Sequence, residues 1–212
     1  MKKISAVFCI IILSVFFAAS AFAANENAYF MIDTNLATAG YQGIDDVMDI
    51  GAKAKVGFAL YAMNWQNAKG FTVKFEWDGT KAEYRSGDSS AEIVDDDETI
   101  NGAEITYAEE NNILSGDIGS LPVESSDGLY SEAFFLKGAG NISGPEGLVF
   151  LAVFRTLDAF KTSDALTIKA SLTVADENGN ERFLGTRYFH VNMSVGVEEK
   201  TWGEVKSQYK DF

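Results

Sequence analysis

The chain has 212 residues, with 31 acidic against 17 basic side chains, a formal charge of −14, one histidine and one cysteine. That balance repels polyanions and so excludes DNA and RNA as partners. One histidine and one cysteine also exclude histidine-rich metal centres, thiolate zinc sites and iron–sulfur clusters.

The first residues read as a secretory leader. Met1-Lys2-Lys3 is a positive start, Ile4 to Phe17 is apolar apart from Ser5 and Ser14, and Ala21-Phe22-Ala23 supplies the small residues of a cleavage site. The apolar run is shorter than the roughly 20 residues of a spanning helix. Cys9 lies inside it, flanked by Phe8 and Ile10, without the small neighbours of a lipidation site. Cleavage after Ala23 takes 23 of the 212 residues and leaves 189, enough for one domain with a sizeable core. It also removes Cys9, Lys2 and Lys3, so the charge moves from −14 to −16. The expectation is a secreted protein (extracellular, cell-surface or periplasmic) with no later membrane span, held by packing without disulfides.

The body reads as strands separated by turns. Tyr29 to Asp33 is a short strand, and Thr38 to Gly51 a Gly- and Asp-rich connection. Ala54 to Met63 places Val56, Phe58 and Leu60 on one face. Gly70 to Asp78 alternates Phe71, Val73, Phe75 and Trp77 with Thr72, Lys74 and Glu76, and Ala82 to Arg85 follows the Asp78-Gly79 turn. Ser86 to Asn101, with Asp95-Asp96-Asp97-Glu98, is a loop or a weak hairpin. Ala103 to Tyr107 and Asn112 to Ser115 are short strands, and Pro122 to Gly128 is a loop. Tyr130 to Lys137 enters the core. Leu148 to Phe154 is continuously apolar, as a strand covered on both faces is. One helical turn is expected near Thr156 to Lys161. Leu166, Ile168, Ala170, Leu172 and Val174 alternate with polar residues, Asn178-Gly179 turns the chain, and Phe183 to Met193 returns.

Eight or more such strands predict an all-β, antiparallel sandwich over residues 24–197. Phe71, Val73, Phe75, Leu166, Ile168 and Leu172 form its core. Residues 198–212 form a short amphipathic helix or flexible tail, in which Trp202 and Tyr209 either lie on the sandwich or meet a partner.

The segment order "KVGFALYAMN" (55–64), "AKGFTVKFEWDGTKAEY" (68–84), "FFLKGAGNISGPEGLVFLAVFR" (134–155) and "LTIKASLTVADENGN" (166–180) resembles cohesin-like domains, over roughly Tyr29 to Met193. The resemblance implies a nine-stranded jelly roll, a fold shared with some carbohydrate-binding modules. It further implies non-catalytic binding of a dockerin-like protein module on a flat face. No dockerin-contacting residue transfers position by position, and Ser86 to Gly128 has no counterpart.

Chemistry-bearing constellations are sparse. His190 alternates outward between Phe189 and Val191, no G-x-S-x-G occurs, and pairs among 31 acids carry no glycosidase signal. The reading is a non-enzyme. Tyr61, Trp65, Tyr84 and Tyr188 fall off the inward parity and are the candidates for stacking on a polysaccharide or anchoring a protein. Asp176, Asn178, Asn180 and Glu181 offer oxygens to calcium, the one cofactor the pattern admits, although the same stretch is ordinarily a type I′ Asn-Gly turn. A protein-binding module is the leading expectation, with a carbohydrate-binding module and a surface-filament subunit as alternatives.

Overall fold

A computed structural model describes residues 25–38, 40–90, 99–104 and 118–193. The leader, Asp95 to Glu98, Asn112 to Ser115 and the tail with Trp202 and Tyr209 lie outside the described residues.

Among the described residues eleven strands follow one another: β1 (Tyr29–Asp33), β2 (Asp46–Val47), β3 (Lys55–Glu76), β4 (Ala82–Tyr84), β5 (Thr99–Ile100), β6 (Ala103–Glu104), β7 (Ile118–Ser126), β8 (Leu129–Leu136), β9 (Ile142–Thr156), β10 (Leu166–Asp176) and β11 (Glu181–Val191). No helix occurs among the described residues, and Thr156 to Lys161 is a turn closed by Phe160 N donating to Leu157 O. One layer runs β1, β3, β9, β4; the other runs β2, β11, β10, β3, β8, β7. All pairings are antiparallel except β2 with β11. Two further strands, β5 and β6, make a separate hairpin.

Both layers share β3, and this corrects the expectation of separate strands at 54–63 and 70–78. Its first half pairs with β1 and β9, its second with β8 and β10. Between them Asn64 (φ 56°) and Asn67 (φ 52°) take the left-handed conformation that Asn tolerates best among side-chain-bearing residues. The strand therefore bends from one layer into the other. Away from this corner four rings clasp the layers: Phe58 lies 5.7 Å from Phe75, 6.2 Å from Phe154 and 5.2 Å from Phe189, centroid to centroid.

The expected core residues Phe71, Val73, Phe75, Leu166, Ile168 and Leu172 are all buried in this main core. A second apolar cluster lies on the far side of β3 and β9. Ala59, Tyr61 and Met63 meet Leu148, Leu151 and Val153 there, under Leu36 from the β1–β2 connection and Ile100 from the β5–β6 hairpin. That explains the uninterrupted apolar run of β9, which is buried on both faces.

Two polar clamps hold this cover. The buried carboxylate of Asp33 accepts backbone N–H groups of Asn35 (2.8 Å), Gly43 (3.0 Å) and Gln42. Asn101 donates Nδ2 to Gly57 O (2.7 Å) and Thr34 O (3.0 Å), and its Oδ1 accepts from Gly57 N (2.9 Å). Pro122 to Gly128 is strand rather than loop over Pro122 to Ser126. Pro122 is tolerated because β7 is an edge strand interrupted by a bulge between Pro122 and Glu124.

Candidate functional site

The two layers differ in what covers them outside. The β1–β3–β9 layer carries the second apolar cluster. The β7–β8–β3–β10–β11 layer turns its outer side chains to solvent, and the pairing register fixes where they stand.

Four rungs cross the open face. Leu121, Ala133, Thr72, Thr173 and Phe183 form one. Glu124, Ser131, Lys74, Ser171 and Thr186 form the next, and Ser126, Leu129, Glu76, Lys169 and Tyr188 the third. Gly119, Phe135, Gly70, Ala175 and Glu181 complete the set. With strands about 4.8 Å apart, Leu121 and Phe183 stand about 19 Å apart at the two ends of one rung. Leu121 and Phe183 are each 61% exposed, Tyr188 is 49% and Phe135 is 40%. These four apolar posts surround a floor of threonine and serine. The Phe135 ring lies over Gly119, where a Cβ would come within 2.5 Å of it, so glycine at 119 lets this ring lie flat.

The charges on the face compensate one another. Lys169 Nζ donates to Glu76 Oε2, and Lys74 stands 4.0 Å from the other oxygen. The hydrogen bond from Lys169 holds the Glu76 carboxyl below its usual pKa, and Glu76 raises that of Lys169. A molecule of strongly negative total charge thus presents a nearly neutral floor here. At one corner Thr167 Oγ1 lies 3.2 Å from His190 Nδ1, and the His190 ring stacks on Tyr188.

Of the four candidate aromatics only Tyr188 is on this face. Tyr61 is fully buried in the second apolar cluster, because the β1–β2 connection roofs the side its parity selects. Trp65 is buried in the main core and donates Nε1 to Tyr29 O (3.1 Å), because the left-handed Asn64 inverts the alternation. Tyr84 packs 4.1 Å from Tyr130 at the sandwich edge, and its hydroxyl is buried with no hydrogen-bond partner within 3.5 Å among the described residues. Burial pushes that hydroxyl's pKa far above the usual value. Sequence reasoning missed Leu121, Phe135 and Phe183. Their outward parity was visible for Phe183, but nothing in the chain shows which outer face is roofed.

The Asp176 loop uses its oxygens internally. Asp176 Oδ1 accepts Asn178 N (2.8 Å) and Asn180 N (2.9 Å), and Oδ2 accepts Asn180 Nδ2 (3.0 Å). Those bonds, Asn180's first, hold its carboxyl below the usual range. The turn is not type I′: Gly179 has φ 76° but Asn178 does not take positive φ, and Gly179 N donates to Asp176 O. This is a three-residue turn with a glycine bulge. The type I′ turn stands at Asn101-Gly102, with φ 58° and 76°, joining β5 to β6. No cluster of three or more His, Cys, Asp or Glu suited to a metal occurs among the described residues.

A cleft of about 380 Å³ opens between the layers beside β4, with Ser89, Ser90, Tyr130, Glu132 and Phe150 in its wall. Tyr130 donates its hydroxyl to Glu132 (2.7 Å), the one acid among the described residues lining it.

The layer order and the shared β3 give the chain a cohesin-like β-sandwich fold. Among solved structures, the solution structure of the cohesin CaCohA2 from Clostridium acetobutylicum superposes with a TM-score of 0.50 at 12% identity, over 77% of this chain and 88% of that one. The cohesin module of a family 33 glycoside hydrolase from Clostridium perfringens gives 0.49 at 10% identity, over 77% and 94%. The sixth cohesin of scaffoldin B from Acetivibrio cellulolyticus, solved in complex with a Cel5 dockerin, gives 0.46 at 17%, over 70% and 94%. No family model and no curated protein sequence matches the chain.

Proposed function

We propose that the chain is an exported, non-catalytic module that binds another protein on the outer face of its β7–β8–β3–β10–β11 layer. One observation carries this reading: among the described residues the outer face of that layer is open to solvent, nearly neutral and bounded by the exposed Leu121, Phe135, Phe183 and Tyr188, whereas the other layer carries the second apolar cluster. Apolar and aromatic posts around a desolvatable floor suit a protein surface of matching shape. A sugar-binding platform needs a row of coplanar exposed rings, and the exposed rings of this face, Phe135, Phe183 and Tyr188, stand on three different rungs around its margin. The sequence resemblance to cohesin-like domains points to a small paired-helix module of dockerin type as the partner, and the leader expected at residues 1–23 supports an encounter outside the cytoplasm.

The test is affinity capture from the extracellular fraction of the source organism, with the chain and its Ser171→Arg variant as baits. Ser171 sits at the centre of the face, half-buried against Thr186. A protein retained by the parent and lost by the variant, at unchanged circular dichroism, supports the reading. Equal retention by both baits, or selective binding to a glycan array, overturns it.

A further inference from the structure

Two Asn-Gly dipeptides occur in the sequence, Asn101-Gly102 and Asn178-Gly179, and the fold treats them oppositely. In such a pair the glycine backbone nitrogen, unshielded by a Cβ, can attack the Asn side-chain carbonyl carbon. A bond forms between Gly N and Asn Cγ, ammonia leaves, and the cyclic imide opens with water to aspartate or isoaspartate. Water is the only co-reactant, and no enzyme is needed. The reaction requires the Asn side chain and the following peptide to rotate towards each other, so its rate is set by the cost of opening the native conformation.

Asn101 is locked against that rotation. Its amide donates to Thr34 O and Gly57 O and accepts from Gly57 N, and its backbone N donates to Lys55 O (3.1 Å). Releasing it detaches the β5–β6 hairpin, whose Ile100 is 1% exposed, from the second apolar cluster. Asn178 and Gly179 stand exposed at the tip of the β10–β11 hairpin. Open space surrounds the place a Cβ would take at Gly179 and at Gly102 alike, so the two sites differ in how the asparagine is held and not at the glycine. The bonds to be broken are those within the turn itself, Gly179 N to Asp176 O and Asn178 N to Asp176 Oδ1.

We infer that Asn178-Gly179 is a site of spontaneous imide-mediated deamidation and that the fold protects Asn101-Gly102 from the same chemistry. Conversion adds a negative charge beside Asp176 and Glu177, at the end of the hairpin that carries Phe183. Isoaspartate there also lengthens the backbone by one methylene inside the Asp176 turn.

The experiment ages the purified full chain at mildly alkaline pH and physiological temperature, folded and in urea, with peptide mapping by mass spectrometry and isoaspartate quantification. Unfolded, the two sites convert at matching rates. Folded, Asn178 acquires the amide-to-acid mass change and isoaspartate, while Asn101 converts at least about tenfold more slowly, the factor given by about 1.4 kcal/mol of extra opening free energy. Equal conversion of both in the folded chain overturns the inference. So does an unchanged Asn178 when the unfolded control has converted, or an Asn178 product free of isoaspartate.

Discussion

Single residues decide how tightly the two apolar clusters close. Gly57 faces Ala152 O at 2.7 Å and Ile100 Cγ2 at 3.1 Å from where a Cβ would stand. Gly57→Ala therefore pushes backbone against backbone and is expected to destabilise the fold by about 1–3 kcal/mol, read as a lower urea midpoint. Tyr84 makes the opposite case. Its hydroxyl is buried with no partner among the described residues, so Tyr84→Phe is expected to hold or raise stability, by up to about 1 kcal/mol. The pH dependence has a definite sign. Burial raises the folded pKa of Tyr84 above its unfolded value, so the stability linked to its neutral form is present below about pH 10 and is lost as pH rises beyond it. An alkaline urea series should show a smaller loss in the Phe variant; an identical loss in both chains contradicts the assignment. At this scale the sequence was legible wherever parity was uninterrupted, as at Phe71, Val73 and Phe75. It misled at Trp65, where one left-handed asparagine inverts the pattern.

Among the strands, β3 gives the sandwich its connectivity. Asn64 and Asn67 are polar residues in a strand interior, and in sequence they look like a loop. In the structure they are the corner at which one strand passes between layers, because only a residue tolerant of positive φ can turn there without losing the pairing on either side. Asn64→Gly should leave the urea midpoint nearly unchanged, since glycine takes this conformation freely. Asn64→Val should cost about 1–2 kcal/mol, because a β-branched side chain pays fully for positive φ. Equal effects of the two substitutions would refute the corner. β7 was hidden for a related reason: its proline and its exposed residues look like a connection, and only pairing with β8 makes them a strand.

For the whole molecule, the −14 formal charge predicts self-repulsion in the folded state, so added salt is expected to raise the melting temperature. Acid stability follows from the carboxylates with lowered pKa values. Glu76 is held by Lys169, and Asp176 by Asn180 and Asn178. At Asp88 burial opposes the shift, but Lys55 and Arg85 outweigh it. Lowered folded values stabilise above the unfolded carboxylate range near pH 4, and that contribution is lost as pH falls through and below it. The urea midpoint should therefore stay level from neutral pH to about 5 and fall towards 3. Asp176→Asn should flatten part of that fall. Alternation by itself determined an all-β sandwich and named its core, because a period of two sorts side chains between faces without reference to distant residues. Which outer face stays open was decided only in three dimensions. The roof over Tyr61 is assembled from Leu36 and Ile100, segments remote in sequence whose approach no local pattern encodes, and the proposed binding face lies on the layer that this roof does not cover.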